Sequence, residues 1–236
     1  MRDRFCLLVA DRKGMSVAEN IALIRDLIGA TRVTLIAVTK TVELDRIEQA
    51  FNCGVTEYGE NRVQDALKKQ SEVPPNMADK IHWHLIGHLQ TNKAKKVVGR
   101  FSLIHSVDSM HLAEELSREA EKQGVVQPIL LQAKIIDEPT KGGYDPDELR
   151  RDFARINSLP GLQVRGLMTM APFTQDVSIQ HACFNGLRQL RDELQQSSGV
   201  SLAELSMGMT EDWQEAIKCG ATMVRIGRGI FGDRAA

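Results

Sequence analysis

The feature that most constrains the fold is an alternation of short apolar, β-branched runs with amphipathic helical segments, repeated eight times along 236 residues. Such runs predict strands buried on both faces, as in a parallel sheet. The predicted strands are residues 33–40, 55–58, 81–86, 101–107, 128–136, 162–170, 203–207 and 222–226. The predicted helices that follow them are residues 44–51, 63–69, 92–98, 110–122, 145–157, 179–196 and 211–219, and the eighth unit has only a vestigial helix. This order predicts an α/β fold, the single-domain (β/α)8 TIM barrel.

An extra N-terminal helix is predicted before the first strand. Ser16 has the character of an N-cap, and Glu19 three residues later completes a capping-box pattern. We expect this helix, residues 16–28, to cover the gap left by the missing final helix. Residues 16–236 are then one barrel domain and residues 1–15 an N-terminal extension, whose apolar patch is too short for a signal core. An open doubly wound sheet is the competing architecture, but eight units without a linker favour closure.

The composition excludes several classes of partner. A formal net charge of -1 gives no electrostatic attraction for nucleic acid or for an anionic membrane, and neither is predicted as a partner. The 4 cysteines show no CxxC spacing, which indicates a reducing compartment and a cytoplasmic location. Because no long apolar segment demands a partner subunit, we expect a monomer.

A lysine ends the first predicted strand. Strand alternation places Lys40 on the same face as Ile36 and Val38, directed toward the carboxyl end of the strand, where α/β proteins carry their chemistry. Desolvation there, together with the like charge of Arg225, favours a neutral amine that can attack an aldehyde. The alternative is a lysine that only ends the strand and reaches solvent.

Two late glycine-containing stretches predict a phosphate site. They are residues 206–210 and 226–232, which follow the seventh and eighth strands, where barrels often bind phosphate. Ser206 and Thr210 offer hydroxyl groups, and Thr210 is also a candidate cap for the helix that begins at Glu211. The alternative is that the glycines only shape tight turns.

Arg225 lies in the middle of the eighth predicted strand and should point into the barrel. A buried guanidinium group needs an acceptor, which a ligand or a core carboxylate can supply. Glu57 and Glu60 are the candidate carboxylates for a purely structural ion pair.

The best metal candidate is the group of His82 and His84 on one face of the third strand, with His88 just beyond it. No later residue stands in a clear ligand role, and a zinc or two-metal site needs at least one more ligand. We therefore predict no metal and interpret these residues as polar groups lining the barrel.

Seven short motifs stand in order along the chain: AVTKT at 37–41, GENRVQ at 59–64, WHLIGHLQTNK at 83–93, TKGG at 140–143, GLMTMAP at 166–172, LSMGMT at 205–210 and MVRIGR at 223–228. Together they resemble the pyridoxal phosphate homeostasis protein family, the YggS/PROSC type, which is related to the N-terminal barrel of alanine racemases. The resemblance runs from about residue 16 to residue 234.

The resemblance implies that the chain binds pyridoxal 5'-phosphate (PLP) as a Schiff base on Lys40, with Arg225 facing the pyridine nitrogen. It also implies phosphate contacts from the loops after strands seven and eight. The family more often has serine at the position of Thr210, and often a small hydroxyl residue at that of Arg228. The cofactor-binding residues predicted in this way are Lys40, Asn61, Lys141, Ser206, Met207, Thr210, Arg225, Gly227 and Arg228.

The predicted function is non-catalytic binding of PLP for its intracellular homeostasis and supply, with apo-enzymes as recipients. Arg225 opposite the pyridine nitrogen disfavours protonation of the ring, which weakens the cofactor as an electron sink. The second base of the related racemases comes from another domain, for which this chain is too short. A weak amino-acid racemase, with Lys40 opposed by Tyr58 or His84, is the alternative function. A class I aldolase or a metallohydrolase fits less well.

Lys141 lies in the loop after strand five, beside Gly142 and Gly143. An amine on a mobile loop near a bound aldehyde can contact the phosphate or release the cofactor by transimination. We expect Lys141 to aid transfer of PLP to an acceptor; the alternative is an exposed loop lysine without a role.

Overall fold

The computed structural model describes residues 14–138 and 142–232. Eight parallel strands pair in chain order and close into a barrel, because β1 also pairs with β8. This confirms the predicted fold class. The strands are β1 Thr34–Val38, β2 Glu57–Glu60, β3 His82–Leu85, β4 Leu103–Val107, β5 Gln127–Gln132, β6 Leu162–Met168, β7 Glu204–Met209 and β8 Met223–Ile226.

Helices surround the barrel and lie between successive strands. They are α1 Val17–Ile28, α2 Leu44–Asn52, α3 Val63–Glu72, α4 Pro75–Ala78, α5 Ala94–Val97, α6 Met110–Gln123, α7 Pro146–Asn157, α8 Val177–Ser198, α9 Trp213–Lys218 and α10 Arg228–Phe231, with a 3-10 turn at Thr91–Lys93. The one-turn helix α4 was not predicted, since four residues are too few to show a helical period. Within the described ranges, no helix is long and apolar enough to cross a membrane.

The N-terminal helix closes the ring of helices as predicted. Ser16 Oγ accepts a hydrogen bond from Glu19 N, and Glu19 Oε2 accepts one from Ser16 N, which is the predicted capping box. α1 packs against α2 and α10, and Asn20 Nδ2 donates to Ile230 O at 3.0 Å. The helix thus covers the position where α10 has only one turn.

The apolar core has two layers, which follow from the alternation of side chains along each strand. A small cluster of Ile36, Leu103, Leu130, Met168 and Met223 fills part of the barrel interior. A larger cluster lies between the outer faces of the strands and the helices. The remaining interior positions carry polar side chains, which form the site described below.

Several strands end earlier than their apolar runs predict. β1 stops at Val38 and β6 at Met168, each two residues before the predicted end. After Thr39, whose N donates to Gly59 O, the chain turns, and Val42 N donates to Thr39 O at 2.9 Å. A strand ends where its hydrogen bonds to the neighbouring strand end. The apolar run does not show which residues of the neighbour it pairs with, so it cannot predict that end.

Candidate functional site

Lys40 lies at the carboxyl-terminal mouth of the barrel, two residues beyond the end of β1. Its side chain is exposed, so the prediction that it lies within the strand on a packed face was wrong. Thr41, the next residue, has a φ of 62°, a left-handed conformation that is uncommon for a β-branched residue. Lys40 is therefore presented on a tight turn at the rim.

A buried ion pair holds the backbone immediately before Lys40. Lys69 Nζ lies 2.6 Å from Glu60 Oε1 and also donates to Thr39 O. Thr39 Oγ1 donates to the same Glu60 oxygen at 2.6 Å. The Lys69 and Glu60 side chains are 14% and 1% exposed. Sequence reasoning missed this pair, because a separation of nine residues between a strand end and a helix matches no local period.

The ends of β2 and β3 lie close together beside this turn. Asn61 Oδ1 is buried and has no hydrogen-bond partner among the described residues. A Cβ atom on Gly87 would lie 2.2 Å from Asn61 O, so the close approach of the two loops requires glycine. A buried acceptor without a partner is a position at which a polar ligand can bind favourably.

Arg225 is buried inside the barrel, on β8 and opposite Ile36 of β1. Its NH1 donates to Ser206 Oγ at 2.5 Å, and its NH2 donates to Thr169 O at 2.9 Å. Burial lowers the pKa of Arg225 to about 10, with Asp212 partly opposing the shift, so the group is charged at neutral pH. Within residues 14–138 and 142–232 it forms no salt bridge. The site thus contains a buried cation with neutral hydrogen-bond partners.

Ser206 and Met207 have their side chains away from the mouth. Ser206 Oγ is fully buried and lies 2.9 Å from His105 Nδ1, in addition to its bond with Arg225. The Met207 side chain is fully buried in the outer apolar cluster. Only the Met207 backbone is available to a ligand at the barrel mouth, and the Ser206 hydroxyl is already engaged within the barrel.

The two glycine-containing loops after β7 and β8 contact each other. Arg228 NH2 lies 2.9 Å from Glu211 Oε1, an exposed ion pair that joins the loops. At Gly208, with a φ of 89°, a Cβ atom would lie 2.8 Å from Trp213 Cα. At Gly227 a Cβ atom would lie 3.3 Å from Val38 O. Glycine therefore brings backbone from both loops close to β1 and α9.

Thr210 follows the end of β7 and is partly buried. The prediction that it caps the next helix was wrong, because α9 begins at Trp213 and its N-cap is Asp212. Asp212 Oδ1 instead accepts a hydrogen bond from Met209 N at 2.5 Å. The Thr210 hydroxyl is thus not used as a helix cap.

Comparisons with known proteins show the family of this chain. Residues 15–235 match the family model described as alanine racemase, N-terminal domain. The chain is 43% identical over 206 residues to a pyridoxal phosphate homeostasis protein from Aquifex aeolicus (strain VF5), a match that covers 87% of this chain and 89% of the relative. The chain belongs to the pyridoxal phosphate homeostasis protein family.

Two solved structures have the same barrel fold as this chain. The structure of PipY from Synechococcus elongatus PCC7942 with PLP bound is 40% identical, has a TM-score of 0.85, and is matched over 92% of this chain and 100% of that one. Alanine racemase from Clostridium difficile 630 has a TM-score of 0.76 at 13% identity, with 94% of this chain and 57% of that chain covered. The second likeness shows a shared barrel fold and nothing more.

Of the three histidines in the third motif and just before it, His82 and His84 both lie beside Glu57, and His88 lies beside Asp108. His84 Nε2 lies 2.7 Å from Glu57 Oε2, while His82 is half exposed with its Nδ1 3.9 Å from Glu57 Oε1. His88 is exposed and pairs with Asp108. Among the described residues, no group of three or more His, Cys, Asp or Glu side chains could hold a metal ion.

The carboxylates proposed as structural partners of Arg225 are used elsewhere. Glu57 pairs with His84, and Glu60 pairs with Lys69. Both alternatives for an Arg225 ion pair were therefore wrong. The family member described here keeps Arg225 charged without a contacting carboxylate among the described residues.

Neither candidate for the second base of a racemase stands at the barrel mouth. Tyr58 is fully buried on the outer side of β2, and its hydroxyl group donates to Val55 O at 3.0 Å. Burial also raises the pKa of Tyr58. His84 is inside the barrel, bonded to His105 and Glu57. Lys141 lies outside the described residues.

Proposed function

We propose that this protein binds PLP covalently through Lys40 Nζ and serves PLP homeostasis and supply in the cytoplasm without catalysing a reaction. The observation that carries the proposal is an exposed lysine just beyond the end of β1, next to a strand that holds the buried cation Arg225, whose hydrogen-bond partners are neutral. The relative PipY has been solved with PLP bound. We assign the function to residues 16–236 acting as a monomer, and apo-enzymes that require PLP are the proposed recipients.

The residues present fit this cofactor. Lys40 offers an amine to the aldehyde, and the loops joined by Arg228 and Glu211 offer backbone N–H groups that glycine leaves accessible to a phosphate. Asn61 Oδ1 has no hydrogen-bond partner among the described residues and can accept a hydrogen bond from a bound ligand. When bound, PLP supplies an electron-withdrawing ring, and a cation at the ring nitrogen weakens that property. Arg225 therefore favours binding over carbanion chemistry.

We assign the phosphate to the Thr210 side chain, the backbone of Met207, and Gly227 with Arg228. Ser206 contributes indirectly in this assignment, because its hydroxyl group supports Arg225. Lys141 remains a proposed aid to cofactor release. This division of roles differs from the prediction that Ser206 contacts the phosphate.

Thr210→Ala is expected to weaken PLP binding by about 10- to 100-fold, which corresponds to a charge-assisted hydrogen bond of about 1.5 to 3 kcal/mol. Binding of unphosphorylated pyridoxal should change little. Fluorescence titration of both ligands on both proteins measures the difference. Thr31→Ala is the matched control, since the Thr31 hydroxyl only donates to Ile28 O at the end of α1. Equal losses for the two ligands would show that Thr210 has a structural role and does not contact phosphate.

A weak racemase activity is the competing function, which the shared barrel of alanine racemases brings into consideration. We expect the PLP-loaded protein to leave the α-proton of L-alanine in place during incubation in deuterated water, because Tyr58 and His84 are not at the mouth. Proton NMR of the alanine signal follows the exchange, with an alanine racemase as positive control. Enzyme-dependent loss of the α-proton signal, abolished by Lys40→Ala, would overturn the non-catalytic assignment.

A further inference from the structure

A continuous chain of hydrogen bonds crosses the interior of the barrel below the candidate site. From Ser206 Oγ, which accepts from Arg225, it passes to His105 Nδ1 at 2.9 Å. His105 Nε2 lies 2.9 Å from His84 Nδ1, and His84 Nε2 lies 2.7 Å from Glu57 Oε2. The five residues come from β8, β7, β4, β3 and β2. All but Glu57 are at most 4% exposed.

The chemistry of these groups allows one proton order when both histidines are neutral. An ionised Glu57 carboxylate only accepts, which fixes the order from that end and leaves His105 Nδ1 to accept from Ser206 Oγ, while Ser206 Oγ accepts from Arg225. His105 then carries its proton on Nε2 and donates to His84 Nδ1. His84 carries its proton on Nε2 and donates to the Glu57 carboxylate. Every donor and acceptor along the line is satisfied in this arrangement.

We propose that Glu57, His84 and His105 are positioning residues that fix the direction of the Ser206 O–H group. In this way they hold the Arg225 guanidinium group in place. A proton taken up at the Glu57–His84 end reverses the direction of the hydrogen bonds. The importance of Arg225 for a ligand rests on the proposed function, whereas the proton order does not. This line of hydrogen bonds from Arg225 to Glu57, here called the relay, links the cofactor end of the barrel to its amino-terminal end.

The proton enters from the amino-terminal end of the barrel. The Glu57 side chain is 25% exposed there, and His84 borders a cavity of about 140 Å³ at the same end. The cavity is also lined by Ser102, Leu103, Pro128, Arg165, Glu204 and Met223. Two of these residues form an ion pair, with Arg165 NH2 4.0 Å from Glu204 Oε1. The relay can therefore exchange protons without opening the cofactor end.

His84 is the histidine that contacts the partly exposed Glu57 carboxylate, so a proton that enters at this end reaches His84 before His105. Burial, together with the positive charges of His84 and Arg225, holds the pKa of His105 well below its usual value. Burial alone would raise the pKa of Glu57, but the hydrogen bond from His84 and the charges of His84 and His82 bring it below its usual value.

Protonation of His84 reverses the direction of the bonds above it. A doubly protonated His84 donates to His105 Nε2, which forces the His105 proton onto Nδ1, where it is donated to Ser206. Ser206 Oγ then accepts from both His105 and Arg225, and among the described residues its own proton has no acceptor. The Ser206 hydroxyl group is then a less well-ordered partner for Arg225, and the relay contains a second positive charge, on His84.

The first test uses the full chain without cofactor. At pH 7, nitrogen–proton NMR of the imidazole groups is expected to show His84 and His105 both neutral and both protonated on Nε2, with signals assigned by His84→Phe and Glu57→Gln. On acidification, His105 should switch to the Nδ1–H form as His84 becomes charged. Nδ1–H forms at pH 7, or a His105 that does not switch, would overturn the relay.

The second test uses PLP binding. In the wild type, log Kd is expected to rise on acidification, and to rise more steeply than in His84→Phe and Glu57→Gln by about one proton, a tenfold change in Kd per pH unit. His88→Gln, an exposed histidine outside the relay, should keep the wild-type slope. Equal slopes in all four proteins would overturn the coupling to Arg225. Failure of the wild type to bind PLP would overturn the proposed function, and the NMR result would still decide the proton order.

Discussion

Lys40→Ala is expected to abolish covalent attachment of PLP. After incubation with PLP and borohydride reduction, peptide mass analysis of the wild type should place the pyridoxyl group on the peptide that contains Lys40, and the variant should carry none at that site. The effect should be complete, because a covalent bond to the aldehyde requires an amine at the barrel mouth, and Lys40 is the exposed lysine on the turn that follows β1.

Non-covalent binding should survive this substitution in part. The loops after β7 and β8 do not depend on Lys40, so the variant should still retain PLP weakly and lose it on dialysis. Lys68→Ala is the matched control, since Lys68 is an exposed lysine of α3 that pairs only weakly with Glu72 at 3.8 Å. Predominant labelling of any lysine other than Lys40 in the native wild type would contradict the assignment.

Breaking the Glu60–Lys69 pair is expected to have the largest effect on stability. Glu60→Ala leaves the Lys69 ammonium group in a largely buried position without its carboxylate, and Lys69→Met leaves Glu60 charged and 1% exposed. Removing one member of a buried pair costs about 3 to 5 kcal/mol of the free energy of unfolding. Urea denaturation of the cofactor-free proteins measures this free energy, and each single variant should unfold at a clearly lower urea concentration.

The double variant Glu60→Leu with Lys69→Met separates the ion pair from the packing around it. Replacing both charges removes the unpaired group, so most of the stability should return. Thr39 Oγ1 loses its bond to Glu60, however, and keeps only the longer one to Gly59 O at 3.5 Å, so the turn that presents Lys40 should become less ordered. A single variant that loses less than about 1 kcal/mol would mean that the pair is effectively solvated and does not hold the turn.

The sequence by itself determined the architecture and the place of the chemistry. Apolar runs of strand length alternating with helical periods predicted the closed barrel, and Ser16 with Glu19 predicted the start of α1. The glycine-containing stretches 206–210 and 226–232 were predicted to follow β7 and β8, and the structure places them at the ends of those strands, joined by Arg228 and Glu211. These features are local or follow from chain order, because the carboxyl ends of parallel strands must lie at one end of a barrel.

The partners of the polar side chains were decided only by the tertiary structure. His105 contacts Ser206, which is 101 residues away in sequence, and His84, which is 21 residues away. Neither contact can be predicted from the local periodicity of a helix or strand. Whether Ser206 faces a phosphate loop or Arg225 depends on the register of neighbouring strands, which also sets where β1 ends. Barrel closure brings β4 and β7 face to face across a shared interior, and buried donors and acceptors there must satisfy one another. That requirement selects Glu57, His84 and His105 as a single connected line of hydrogen bonds.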